Sequence, residues 1–267
     1  MSQEQTASYV LITGTTSGLG REFARLFAQN GYNIVAVARN EILLQQQKQD
    51  LERQFGIEMV YVVKDLSAEN SAQEVYDEIK HKGINIDILI NNAGFGSFGR
   101  YIDVDWQRQK GLASVNMLAV MQLSYLFGKD MDRRGEGKIV NIASIASFQA
   151  GPYMAMYYAS KAFVRSFSEA LHEEMKSSGV SVTAICPGPV ATNFERNAHM
   201  INSAMFTRLR VYTPEVVAAK SYRAIMNNKA VYVVGWPNKL LVFLTRFCSL
   251  KFSRVLASKI NLGSGRK

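Results

Sequence analysis

Cysteine is scarce in these 267 residues: Cys186 and Cys248 are the two, too far apart to outline a disulfide framework. No CxxC spacing occurs, and His81, His172 and His199 share no ligand-like interval, so no metal site is expected. This usage predicts a reducing compartment. The first residues, Met1 to Thr6, have neither a basic nor an apolar leader region, and no run approaches the roughly 18 apolar residues a bilayer span requires. A cytoplasmic protein without a secretory signal is the expectation. A GxSxG elbow is also missing, which argues against a serine hydrolase.

Acids are missing from one region only. Between Trp236 and Lys267 stand seven bases (Lys239, Arg246, Lys251, Arg254, Lys259, Arg266 and Lys267) and no Asp or Glu. Subtracted from the net charge of +9, they leave +2 for the first 235 residues. Basicity confined to a tail, with no recognised binding motif, does not predict a nucleic-acid partner. Leu240, Leu241, Phe243, Leu244, Phe247, Cys248 and Leu250 fall on one helical face of this tail, opposite Lys239, Thr245, Arg246 and Ser249, and the pattern breaks at Lys251. Three uses compete for that face: packing over a substrate pocket, a subunit contact, or a membrane surface. The first two are favoured.

What the chain does have is alternation. Short runs rich in Val and Ile at 8–13, 33–37, 58–63, 86–90, 138–143, 180–185 and 231–234 read as strands buried on both faces. Helical patterns near 19–30, 41–54, 68–82, 104–132, 156–178 and 214–228 separate them. The order predicts an α/β fold: a doubly wound, Rossmann-type parallel sheet of about seven strands flanked by helices. With no repeat or composition break, residues 1–235 read as one domain and 236–267 as a basic amphipathic extension.

The first strand runs into Thr13-Gly14-Thr15-Thr16-Ser17-Gly18-Leu19-Gly20 and then a helix. Glycines at 14, 18 and 20 suit a tight turn and close approach to a pyrophosphate, which the helix N-terminus would favour. The second strand ends at Arg39, a planar cationic fork suited to a ribose 2′-phosphate, so NADP(H) is expected over NAD(H). Tyr157 and Lys161 are four residues apart on a helical pattern, and Ser144 lies thirteen residues upstream. Residues i and i+4 share a face, and a cation within about 4–6 Å lowers a phenol by about 1–3 pKa units. A surface ion pair would satisfy the same spacing.

Together these motifs make residues 8 to 235 strongly resemble the short-chain dehydrogenase/reductase family. The glycine turn matches its TGxxxGxG, Asp65-Leu66 its adenine-contacting pair, and Asn91-Asn92-Ala93-Gly94 its NNAG. Asn116 matches the helical asparagine, Ser144 the active-site serine, Tyr157 and Lys161 its YxxxK, and Pro187-Gly188-Pro189-Val190-Ala191-Thr192 its PGxVxT. The resemblance implies a catalytic set of Asn116, Ser144, Tyr157 and Lys161. It implies cofactor contacts from Gly14, Thr16, Ser17, Gly18, Leu19, Gly20, Arg39, Asp65, Leu66, Asn92, Ala93, Gly94, Tyr157, Lys161, Pro187, Gly188, Val190 and Thr192. Tyr157 would protonate a carbonyl oxygen that Ser144 hydrogen-bonds. Lys161 would lower the phenol pKa, and Asn116 would hold a water chain leading to Lys161. A homodimer or homotetramer is also implied.

The family's variable lid falls at about 193–212. Phe194, Met200, Ile201, Met205, Phe206, Leu209 and Tyr212 make it apolar, and Phe95, Phe98, Phe148, Tyr153 and Met154 lie near the expected rim. A medium-to-large apolar carbonyl compound is the expected substrate. The competing reading is a cofactor-binding regulatory or scaffold protein without turnover.

Overall fold

A computed structural model describes residues 8–192, Phe194 and 210–262. The seven apolar runs form strands β1 (Tyr9–Thr13), β2 (Asn33–Ala38), β3 (Met59–Val63), β4 (Ile86–Asn91), β5 (Gly137–Ile142), β6 (Val180–Cys186) and β7 (Val231–Val233). All pair in parallel in the order β3-β2-β1-β4-β5-β6-β7. The order reverses between β1 and β4, the switch point at which such sheets open a ligand crevice beyond their carboxyl ends.

Alternating side chains divide the core in two. Val10 and Ile12 of β1 join Phe23 and Phe27 of α1 (Gly18–Gln29), Leu44 and Leu51 of α2 (Glu41–Phe55), and Val217 and Ile225 of a later helix. Leu11 points the other way, toward Val75 and Ile79 of α3 (Ser71–His81) and the long helical run beneath β4 and β5. Strands covered on both faces have no reason to alternate apolar with polar residues, which is why the sequence shows runs.

That long run, expected over 104–132, is not one regular helix. It comprises α4 (Trp106–Ala113), a π-turn (Ser114–Leu118) and α5 (Ala119–Arg134). The stretch Trp106–Arg134 is long and apolar enough to cross a membrane, contrary to the expectation that no segment is. Half of its most apolar window is buried inside the domain, where Leu123 and Phe127 fill the core. The remaining helices are α6 (Ala155–Glu174), α7 (Pro214–Met226), α8 (Trp236–Thr245) and α9 (Leu250–Leu262). The tail thus forms two helices, parted at Arg246–Ser249 rather than at Lys251.

A buried polar chain ties the sheet to its helices. Asn91 on β4 donates to Asn141 on β5 (2.8 Å) and to Ser124 on α5 (3.1 Å), and Asn141 donates to Ser168 on α6 (2.9 Å). Linked in this way, four polar side chains fix the relative positions of the elements that carry the site.

Candidate active site

At the carboxyl ends of β1, β4, β5 and β6 lies a cavity of about 870 Å³. The turn after β1 holds Gly14 and Gly18 at positive φ (73° and 55°), a backbone that L side chains rarely adopt. Gly18 faces Thr192: a β-carbon at 18 would sit 3.0 Å from the Thr192 methyl. A β-carbon at Gly20 would strike the Gly14 carbonyl oxygen and the Asn92 amide nitrogen. Ser17 makes no side-chain cap to α1, so it leaves the first N–H groups of that helix to another acceptor.

Asn92 closes the gap between β1 and β4. Its side chain donates to the carbonyls of Thr13 (2.9 Å) and Gly14 (3.2 Å), while the Thr13 hydroxyl accepts from the Asn92 and Ala93 N–H groups (3.0 and 2.9 Å). At the far end, Arg39, Asn40, Lys64 and Asp65 share the wall. Burial works to raise the Asp65 carboxyl. Hydrogen bonds from the Ser67 N–H and hydroxyl (2.9 and 2.8 Å), with the Arg39 charge, outweigh it and hold Asp65 below its ordinary value.

The chemistry-bearing residues meet at the other end. Ser144, Tyr157 and Lys161 are buried and line the same cavity. Ser144 follows β5 and accepts from the Ala146 N–H (3.1 Å), capping the short turn Ile145–Phe148; it also hydrogen-bonds the Tyr157 phenol. Burial pushes that phenol up to about 12, against the pull of Ser144. Burial also pushes Lys161 down to about 8, with nearby Cys186 opposing. The Lys161 ammonium donates to the Ile142 carbonyl (2.7 Å) and lies 5.9 Å from the centre of the Tyr157 ring. A lowered phenol was expected from the four-residue interval. The structure reverses this: desolvation outweighs a cation that sits beside the ring and is engaged elsewhere.

Asn116 does not line the cavity. In the π-turn its carboxamide accepts from the Phe95 N–H (3.1 Å) and donates to the Phe95 carbonyl (3.0 Å) and the Ser160 hydroxyl (3.1 Å). It therefore clamps the strand-end turn to α6 from behind. A β-carbon on Gly94 would lie 3.0 Å from the Asn116 oxygen and 3.5 Å from the Lys161 nitrogen, so the three are neighbours. The geometry gives Asn116 two protein partners, Phe95 and Ser160.

Gly14, Thr16, Ser17, Gly18, Leu19, Arg39, Asp65, Leu66, Asn92, Ala93, Gly94, Pro187, Gly188, Val190 and Thr192 all reach the wall; Gly20 packs beneath it. Of the expected rim, Phe95 and Phe148 line the cavity, and Phe194 packs on Tyr157 with ring centres 5.2 Å apart. Met154 is a core residue, and Phe98 and Tyr153 pair with each other, 6.3 Å apart. Tyr212 is buried in the main core beside Val217, not in a lid. Met200, Ile201, Met205, Phe206 and Leu209 lie outside the described residues. Sequence reasoning missed Ile142, whose carbonyl holds Lys161, and Ser160, which tethers Asn116. Ser160 was findable, since it stands inside Tyr157–Lys161.

The tail completes the wall with Leu241, Val242 and Thr245 from α8 and Leu256, Ala257 and Ile260 from α9. Among the described residues no cluster of three His, Cys, Asp or Glu could hold a metal ion.

Comparison with known proteins agrees with this geometry. The short chain dehydrogenase family model matches residues 8–201. The very-long-chain 3-oxoacyl-CoA reductase of Bos taurus is 34% identical over 195 residues, 70% of this chain; the match covers 61% of the bovine protein, less than two thirds of its length. The probable short-chain type dehydrogenase/reductase VdlC of Helicobacter pylori is 32% identical over 252 residues, 94% of this chain and 89% of that protein. Among solved structures, a short-chain dehydrogenase from Sphingobium yanoikuyae in complex with NADPH superposes with a TM-score of 0.80 at 26% identity, covering 92% of this chain and 95% of that one. The chain belongs to the short-chain dehydrogenase family of oxidoreductases, which interconvert carbonyl and alcohol groups.

Proposed function

We propose that this protein is an NADP(H)-dependent reductase of medium-to-large, mainly apolar carbonyl compounds. The observation that carries the reading is the convergence of Ser144, Tyr157 and Lys161 on one cavity with the glycine turn. That turn fits a dinucleotide: two positive-φ glycines, an uncapped helix N-terminus and Arg39 supply the cradle a pyrophosphate and a 2′-phosphate need. When bound, the nicotinamide supplies a hydride to the carbonyl carbon.

The protein's own groups handle the oxygen. Held up near 12 by burial, the Tyr157 phenol is fully protonated at neutral pH, the form that reduction requires. Ser144, hydrogen-bonded to that phenol, offers a second hydroxyl where charge develops. Lys161 supplies positive charge beside the ring, available to follow the proton once Tyr157 has released it.

Apolar side chains of Phe95, Phe148, Phe194, Leu241, Val242 and Ile260 support a hydrocarbon-rich substrate. The bovine relative's name, which specifies a very-long-chain 3-oxoacyl thioester, points the same way. The test follows reduced-nicotinamide absorbance with NADPH and NADH against ketones, aldehydes and 3-oxoacyl thioesters of increasing chain length. Turnover should favour NADPH and longer chains. Arg39→Asp should weaken NADPH use by about 10- to 100-fold, the worth of a charge-assisted contact, and spare NADH. Equal use of both cofactors by the unaltered protein contradicts the cofactor assignment. Silence across the panel with NADPH bound would make the protein a cofactor-binding scaffold.

A further inference from the structure

The two tail helices are packed with their polarity inverted. Their buried positions are small or polar: Asn238 and Val242 on α8, and Ser253, Ala257 and Asn261 on α9. The polar ones act as pegs. Asn238 donates to the Val234 carbonyl (2.7 Å), Ser253 to the Gln149 side chain (3.0 Å) and Asn261 to the Pro152 carbonyl (2.8 Å), while the Tyr158 hydroxyl donates to Asn261 (3.1 Å). The large apolar side chains face outward. Trp236 is 71% exposed, Phe243 54%, Phe247 75%, Leu250 81% and Phe252 58%. An exposed apolar patch of this kind, unlike scattered single residues, marks a contact surface.

Charge identifies what it contacts. Lys239, Arg246, Lys251, Arg254 and Lys259 are exposed on the same two helices and the link between them, and none has an ion pair among the described residues. No acid occurs from Trp236 to Lys267. A second copy of the chain is a poor occupant. A two-fold contact would press this patch against itself, base against base, with no carboxylate to intervene. Aromatic and aliphatic side chains among cations without carboxylate partners suit the surface of an anionic bilayer, where the rings settle at headgroup depth and the bases meet lipid phosphates.

We propose that α8 and α9 dock this protein on anionic lipid membranes. The same helices wall the cavity on their inner side, so docking brings the pocket within about one helix diameter, roughly 10 Å, of the lipid. Delivery of a lipid-borne carbonyl compound rests on the reductase reading; docking itself does not.

The experiment is flotation of the full chain with vesicles of phosphatidylcholine alone, or of phosphatidylcholine with about a third phosphatidylglycerol. At least ~10-fold more protein should float with the anionic vesicles. The excess should vanish near 1 M salt, where screening acts over about 3 Å. Phe243→Asp with Phe247→Asp, and separately Lys251→Glu with Arg254→Glu, should each lower flotation at least ~10-fold. Neither pair lines the cavity, so turnover of a water-soluble carbonyl compound should persist and report a folded protein. Equal, low flotation with both vesicle types overturns the proposal. So does unchanged flotation of both variants, or a fall in sedimenting mass in the variants, which would make the face a contact between copies. Loss of turnover in the unaltered protein would sink the reductase reading while leaving the flotation result to decide docking.

Discussion

Lys161 is a buried ammonium that donates to the Ile142 carbonyl, and its lowered pKa of about 8 reflects what that burial costs. In the unfolded chain the group reverts to about 10.5, so between these values the folded state binds fewer protons than the unfolded state. Stability must therefore rise with pH across that window. The full penalty is present below pH ~8 and disappears toward ~10.5. Replacing the ammonium with an uncharged chain removes the dependence. Relative to Lys161→Met, the unaltered protein should gain about 2 kcal/mol between pH 7 and 10 in urea unfolding. A constant difference would mean that Lys161 is solvated in the fold. Residue identities at the site were legible because hydroxyl, phenol and ammonium groups at fixed intervals are chemically distinctive. Their protonation was not, because spacing reports proximity and says nothing about desolvation.

At the scale of elements, the strands read correctly as continuous Val/Ile runs, since both faces of the sheet are covered. The helix over 104–132 was legible as a helix but not as an interrupted one. Its π-turn is centred on Asn116, a poor helix former whose bonds to Phe95 and Ser160 are tertiary and so invisible to periodicity. The tail was legible only in part. Its apolar stripe left pocket packing, a subunit contact and a membrane surface open; Leu241 does line the cavity, whereas Phe243, Phe247 and Leu250 are exposed because hydrogen-bonding pegs hold the small face inward, and periodicity alone cannot see them. The joint between β1 and α1 offers a direct check. Gly20→Ala would drive a methyl into the Gly14 carbonyl and the Asn92 side chain that fastens β1 to β4. A loss of about 1–3 kcal/mol should follow, lowering Tm by roughly 3–10 °C, together with weaker NADPH binding. Unchanged melting and affinity would show that the turn yields without cost.

For the whole molecule, the doubly wound sheet puts every contributor to the cavity at one edge, although they come from positions as far apart as Gly14 and Ile260. The alternation of runs foretold that edge; the closing of the cavity by the tail helices depends on packing that no motif encodes. A separate surface bears on assembly. Leu118, Met121 and Tyr125 are exposed on the π-turn and α5, away from the tail. We propose that this strip joins copies into a homodimer or homotetramer. Sedimentation should then give a dimer or larger, and Met121→Asp with Tyr125→Asp should give monomers; a monomeric unaltered chain would exclude the contact.

The central claim is that Tyr157 protonates a carbonyl oxygen during hydride transfer. It is tested most directly by comparing single-turnover oxidation of NADPH in the unaltered protein and in Tyr157→Phe, with one apolar 3-oxoacyl thioester. The account predicts a rate lower by about 10²- to 10⁴-fold, with NADPH affinity little changed. A Tyr157→Phe protein that turns over at the unaltered rate would contradict it.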